Sequence, residues 1–238
     1  MIGDIGLEIR PRMTLTVWAA NGASEEWTVG RHAAERESIL VEGSGTRSLP
    51  ESSDLYIPVP EEFTDTEAVL LPLAVQVMEA VRRSEASLGD RLLIFGDCLR
   101  GRLAVYSAKR RGIVPVVASN EEADTTSHGR QPSAALVVEG GRGFEAAACQ
   151  KVRGGGLVVL ATAPQGKPGE FDFYRNLQRT GVRLIGVPPQ LPKLSQRERV
   201  EAAHILRAFL ADGGGPPIVA AAQQGPGILK EYLVRWDA

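Results

Sequence analysis

The chain has 238 residues, enough for one large domain or one domain with a smaller companion, and at 43% hydrophobic and 24% charged it has the composition of an ordinary globular protein. A net charge of −2 excludes bulk attraction to nucleic acid or to an anionic membrane. The two cysteines, Cys98 and Cys149, supply neither a disulfide framework nor a zinc cluster, and no apolar run approaches the ~20 residues that span a bilayer. The N-terminus also lacks the apolar core of a signal peptide, so the expectation is a cytoplasmic protein without nucleic-acid or membrane partners.

Residues 1–60 carry short apolar runs separated by Gly, Ser, Asn and Glu. Leu15–Ala19, Trp27–Val29, Ile39–Val41 and Leu55–Val59 read as strands, and Ser48–Asp54 as an exposed loop. His32 has no Cys or His neighbour at metal-ligand spacing. Thr64 with Glu67 forms a capping box ahead of an apolar run. Pro72 then interrupts that run, so Ala68–Leu71 and Leu73–Val81 read as two consecutive helices.

Leu92–Phe95 is a short apolar run that stops at Gly96, the pattern of a buried strand. Leu99, Leu103, Ala104 and Ala108 then recur at helical spacing. Lys109, Arg110 and Arg111 crowd the last turn, where the helix dipole favours cations, and Gly112 ends it. Val114–Ala118 is a second strand. Strand, tight turn, helix and strand make one right-handed βαβ unit, whose first turn lies where doubly wound sheets bind ligands. That turn reads Gly96-Asp97-Cys98-Leu99-Arg100-Gly101. Against the dinucleotide fingerprint G-x-G-x-x-G it keeps the first and third glycines, while Cys98 stands at the middle one, which lets backbone approach a pyrophosphate.

Residues 120–134 form a polar linker containing His128. Ala135–Glu139 reads as a strand running into a glycine turn, Phe144–Val152 as a helix with Phe144, Ala147, Ala148 and Val152 toward the sheet, and Leu157–Thr162 as the next strand. Cys149 reads as a small core residue. Lys167, Asp172, Tyr174 and Arg175 fall on a polar loop and short helix. Val182–Val187 reads as the last strand, an edge that a second copy would cover in a homodimer. Ser195–Ala211 reads as an amphipathic helix with Val200, Ala203 or His204, Leu206 and Leu210 inward. The tail reads as a strand, PIVAAA, then a turn and a helix, ILKEYLVRW, anchored by Trp236.

Pro60, Thr64, Glu67, Ala68, Leu71, Pro72 and Leu73, followed by Gly89, Asp90, Gly96 and Gly101, resemble the medium-chain dehydrogenase/reductase family, the alcohol dehydrogenase and quinone reductase group. The likeness extends through Ala135–Gly141, Gly154–Leu160 and Phe171–Gly186. It implies an α/β fold: a Rossmann-like parallel sheet with helices on both faces over residues 61–215, plus a reduced N-terminal β-rich subdomain over residues 1–60 completed by 216–238. It also implies an NAD or NADP site built from Gly96, Cys98, Leu99 and Gly101 at the pyrophosphate, Ser119 and Asn120 at the adenosine ribose, and Thr162 and Ala163 at the nicotinamide.

The chain departs from the family at several points. No cysteine precedes Cys98, so no zinc is expected. The N-terminal part is short for the family, and residues 120–134 replace a helix and a strand. The proton-transfer candidates at the strand ends are Asp97, Glu139 and Tyr174.

Two functions follow. One is a zinc-independent NAD(P)H-dependent oxidoreductase acting on a small carbonyl or alkene; reduced members of the family serve specialised biosynthetic pathways. The other is a non-redox descendant of the fold: a lyase, cyclase, isomerase or binding subunit with a degraded cofactor site.

Overall fold

The computed structural model describes residues 7–18, 24–32, 38–42, 48–49, 56–58, 63–118, 131–139, 143–161, 171–187, 196–214 and 232–236. The chain divides into two compact units, Met1–Leu71 with Pro216–Ala238, and Pro72–Gly215.

The first unit holds an antiparallel sheet of β1 (Leu7–Trp18), β2 (Ser24–His32), β3 (Ser38–Glu42), β4 (Ser48–Leu49), β5 (Tyr56–Pro58) and β11 (Tyr232–Trp236), in the order β11-β1-β2-β3-β5 with β4 also on β1. All four strands expected here are present. The register of β1 against β2 shifts between Pro11 and Met13, a bulge at the one residue that cannot donate to the ladder. Two expectations are corrected. Ser48–Leu49, read as loop, pairs with Glu8 and Leu7. The end of the tail, read as helix, is strand β11, with Tyr232–Trp236 aligned on Val17–Met13.

Helix α1 (Asp65–Arg83) begins at the expected capping box. The Thr64 amide donates to Glu67 Oε2 at 2.8 Å, and the Glu67 amide donates to Thr64 Oγ1 at 3.2 Å. Pro72 lies inside this one continuous helix, correcting the expectation of two. An interior proline costs ~3 kcal/mol. Burial offsets it: Ala68, Leu70, Leu71, Leu73, Ala74, Val75, Val77, Ala80 and Val81 are all buried.

The second unit is a five-stranded parallel sheet of β6 (Arg91–Phe95), β7 (Val114–Ala118), β8 (Ala134–Val137), β9 (Leu157–Leu160) and β10 (Arg183–Gly186), in the order β10-β9-β8-β6-β7. Helix α2 (Leu99–Arg110) connects β6 to β7, and α3 (Phe144–Lys151) connects β8 to β9. These crossovers step away from the centre in opposite directions, so right-handed connections place α2 and α3 on opposite faces. Burial agrees. Leu93, Phe95, Ala135, Val137 and Val158 form one cluster with Phe144, Ala148 and Cys149 of α3. The alternate residues Leu92, Ile94 and Leu136 are equally buried beneath the other face. The fold class is the α/β, Rossmann-like sheet expected.

Helix α4 (Gln196–Ala211) buries Ala202, Ala203, Ile205, Leu206 and Phe209, while Val200 and His204 are exposed. Of the residues expected inward, Ala203 and Leu206 are buried, Val200 is exposed and Leu210 is half-buried. The anchor is Phe209, edge-on to Tyr106 of α2 with ring centroids 5.6 Å apart, rather than Leu210. Tyr106 also donates to Asp212 Oδ2 at 2.8 Å. β10 is an outer strand of its sheet, as expected for Val182–Val187.

Candidate functional site

β6 and β8 are neighbours, yet the chain leaves their C-terminal ends toward opposite faces. Such a switch point is where a doubly wound sheet receives a ligand, beside the residues just past both strands. Of the expected site residues, Gly96, Asp97 and Cys98 follow β6, Leu99 and Gly101 lie in the first turn of α2, and Glu139 follows β8. Phe95 at the end of β6 and Phe144 at the start of α3 are buried in the core, 5.4 Å between ring centroids.

Two glycines set the turn's shape. Gly96 has φ +119°, and a Cβ added there would lie 2.8 Å from Glu139 Cβ and 2.9 Å from Val138 Cγ2. Gly96 and Glu139 are thus in direct contact across the two strand ends, which brings Asp97 and Glu139 to one edge. A Cβ at Gly101 would collide with the Gly96 carbonyl oxygen, so helix α2 can sit this close to the strand only with glycine there. Gly96 thus allows the tight turn and Gly101 the close helix–strand packing that the fingerprint assigns to its first and third glycines.

Cys98 is the N-cap residue of α2, extended at φ −99° and ψ 180°, a conformation open to any residue. Its thiol makes no capping hydrogen bond, and the first turn contains no acidic residue. Its cost to a bound anion is therefore the space its Cβ and sulfur occupy. Cys98 is half-buried, Leu99 is buried, Asp97 is exposed and Glu139 is half-buried. Backbone N–H groups of a helix N-terminus attract a phosphate, and the Asp97 and Glu139 carboxylates beside them oppose one.

Tyr174 starts a short π-helical turn, Tyr174–Gln178, on the connection from β9 to β10, and is 65% exposed. Ser119, Asn120, Thr162 and Ala163 lie outside the described residues, as do His128, Lys167 and the strand read in PIVAAA. Cys149 is buried on α3, and burial, reinforced by the charge of Glu145, pushes its thiol up to about 12, which makes it the inert core residue expected. Among the described residues no group of three or more His, Cys, Asp or Glu side chains is placed to hold a metal ion, and no helix is long and apolar enough to cross a membrane.

Two residues of the site went unnoticed in the sequence. Arg100, in the first turn of α2, is only 7% exposed, a buried cation inside the glycine turn. Val138 supplies the methyl that Gly96 must clear. The available signal was the arginine's place between the fingerprint positions.

No family model matches the sequence, and no curated protein matches it. Solved structures do. The quinone oxidoreductase from Coxiella burnetii superposes with a TM-score of 0.65 at 12% identity, over 98% of this chain and 90% of that one. The 2R,3R-butanediol dehydrogenase from Bacillus subtilis gives 0.62 at 12% identity, over 100% and 94%. A short chain alcohol dehydrogenase from Escherichia coli CFT073, complexed with the cofactor NADH, gives 0.59 at 11%, over 88% and 82%. The resemblance to medium-chain dehydrogenases/reductases read from the sequence is thus borne out as a shared fold.

Proposed function

We propose that the protein is a zinc-independent oxidoreductase that binds NADH or NADPH at the β6–α2 turn and reduces an alkene or a small carbonyl compound. The observation that carries this reading is the glycine cradle of Gly96 and Gly101, which seats the N-terminus of α2 at the switch point of the sheet. The chain's few cysteines and histidines leave no zinc to polarise a carbonyl, which favours an alkene conjugated to a carbonyl group. A quinone oxidoreductase and an NADH-bound dehydrogenase among the structures of like fold support the same reading.

In this proposal the turn of Gly96, Cys98, Leu99 and Gly101 would hold the pyrophosphate at the N–H groups of the first turn of α2, while the Gly96 amide donates to the Ala118 carbonyl at 3.2 Å. Ser119 and Asn120 bind the adenosine ribose, while Thr162 and Ala163 lie beside the nicotinamide. Bound NAD(P)H supplies a hydride to the substrate. Glu139, half-buried at the end of β8, and Asp97 are the groups placed to exchange the accompanying proton. Tyr174 is the third candidate. The same reading assembles the chain as a homodimer through β10; a strictly monomeric mass at micromolar concentration would count against that part.

The test is a titration with NADH and with NADPH, followed by fluorescence and melting temperature. Binding well below millimolar is expected, with about 2.7 kcal/mol of stabilisation at 100 times Kd. No binding by either nucleotide would leave the second reading, a non-redox lyase, cyclase, isomerase or binding subunit. Cys98 in the close-approach position, flanked by Asp97 and Glu139, favours that alternative.

A further inference from the structure

A second cluster lies at the C-terminal end of α2, the opposite end of that helix from the glycine turn. Arg110 of α2, Arg111 just after it, and Arg197, Val200, Glu201 and Ile205 of α4 line one open groove. The three arginines are exposed, and none forms an ion pair with another described residue. Glu201 is the one carboxylate among these lining residues. Glu198, one turn before it, lies in a neighbouring recess that Arg111 and Glu201 also line, with Arg82, whose guanidinium Glu79 holds charged with a smaller contribution from Glu198.

Helix stability does not account for this arrangement. Arg110 and Arg111 suit a helix C-terminus, but Arg197 sits in the first turn of α4, where the dipole disfavours a cation. Val200 is 47% exposed on the same rim, an apolar side chain that packing leaves outside, above the buried Ile205. Exposed guanidiniums gain little from a lone small anion because water screens them. A ligand presenting several carboxylates around an apolar side chain gains from bidentate arginine contacts and from covering Val200 together.

We propose that this groove docks an acidic amphipathic segment of a partner protein, with carboxylates on Arg110, Arg111 and Arg197 and an apolar side chain over Val200 and Ile205. The inference is independent of the chemistry at the glycine turn.

The probe is a fluorescein-labelled synthetic helix of Glu, Leu and Ala, titrated with the full chain and followed by anisotropy. Saturable binding is expected. It should weaken about tenfold or more in Arg110→Glu/Arg197→Glu and about threefold in Val200→Ser, with melting temperatures unchanged. Arg153→Glu, an exposed arginine on the turn before β9, should leave binding within about twofold, as distant surface charges do. Absence of binding overturns the proposal, as does equal weakening by Arg153→Glu. Displacement by tripolyphosphate with a silent Val200→Ser would make this a small-anion site and overturn it too. So would loss of a dimer in Arg110→Glu/Arg197→Glu by sedimentation, since the groove would then meet a second copy.

Discussion

The two ends of the parallel sheet use glycine and hydrogen bonds in different ways. At the N-terminal end the turns close on one another. The Gly89 amide donates to the Gly112 carbonyl at 2.8 Å, Arg153 to Pro132 at 3.0 Å and Gly155 to Thr180 at 3.0 Å. Gly89 and Gly155 are there for their backbone, at φ +80° and +74°, and an added Cβ would meet nothing within 4 Å. At the C-terminal end each strand pair runs one bond further, Gly96 to Ala118 at 3.2 Å, Val138 to Phe95 at 3.0 Å, Ala161 to Val137 at 2.9 Å and Val187 to Leu160 at 2.8 Å. Gly101 is there for the space a side chain would fill, and Gly96 both for that space and for its φ of +119°. Among the described residues one end closes its turns on one another, while the other sets two carboxylates beside a helix N-terminus, the end where the proposed cofactor site lies.

The sharpest way to break that comparison is a pair of alanine substitutions. Gly101→Ala places a Cβ on the Gly96 carbonyl oxygen, backbone against backbone, so helix and strand must separate. The expected loss is about 2–4 kcal/mol. Gly155→Ala meets open space and suffers only the left-handed backbone, about 1–2 kcal/mol. Denaturant unfolding of both variants checks the order. Equal losses would remove the distinction between the two kinds of glycine.

How far the sequence could be read follows a similar division. The βαβ unit was legible because every level agreed: apolar runs of strand length, helical spacing after Leu99, and glycines at the turn and the helix stop. The capping box at Thr64 and Glu67 was legible because it is local. The misreadings came where distant partners decided. Residues 232–236 carry apolar side chains at spacings a helix tolerates, but they pair along β1, and the aromatic and β-branched run YLVRW suits a strand. Pro72 argued for a break because propensity was weighed without the nearly all-round burial of α1. On α4, Leu210 and Phe209 were equally apolar in the sequence; the aromatic contact with Tyr106 chose between them. The switch point between β6 and β8 was legible because strand order alone creates it. The contact of Gly96 with Glu139 and the burial of Arg100 belong to tertiary packing, which no single stretch records.

A smaller effect sharpens the comparison from the open end. Cys98 makes no capping bond and its backbone is unstrained, so Cys98→Gly should cost only a few tenths of a kcal/mol as an N-cap change. By clearing the approach to the first-turn N–H groups, it should tighten NAD(P)H binding about tenfold, or 1.4 kcal/mol. Isothermal titration of the variant beside the parent checks this. Cys98→Ser should leave any turnover largely intact. If Cys98→Ser abolishes turnover in a folded protein, the cysteine is a nucleophile and the turn is not a narrowed cofactor cradle.

The smallest effect tests the closed end. The Arg183 guanidinium donates to both carboxylate oxygens of Glu85, at 2.8 and 3.4 Å, tying the end of α1 to the start of β10. This hydrogen bond, with the charge attraction behind it, holds the Glu85 carboxyl below its ordinary range. A depressed carboxylate contributes stability above its unfolded value, about 4.3, and loses it as pH falls through the lower folded value. Glu85→Gln should therefore lower stability slightly at neutral pH, flatten the acid side of the stability curve and remove its salt dependence. Both side chains are more than half exposed, so the effect should shrink in high salt. Glutamine keeps the left-handed backbone at φ +56° equally strained, which isolates the charge. Denaturant unfolding at neutral and acid pH, in low and high salt, makes the measurement. An unchanged acid slope in the variant would mean that the backbone bonds between the turns, and not this ion pair, hold that end of the sheet closed.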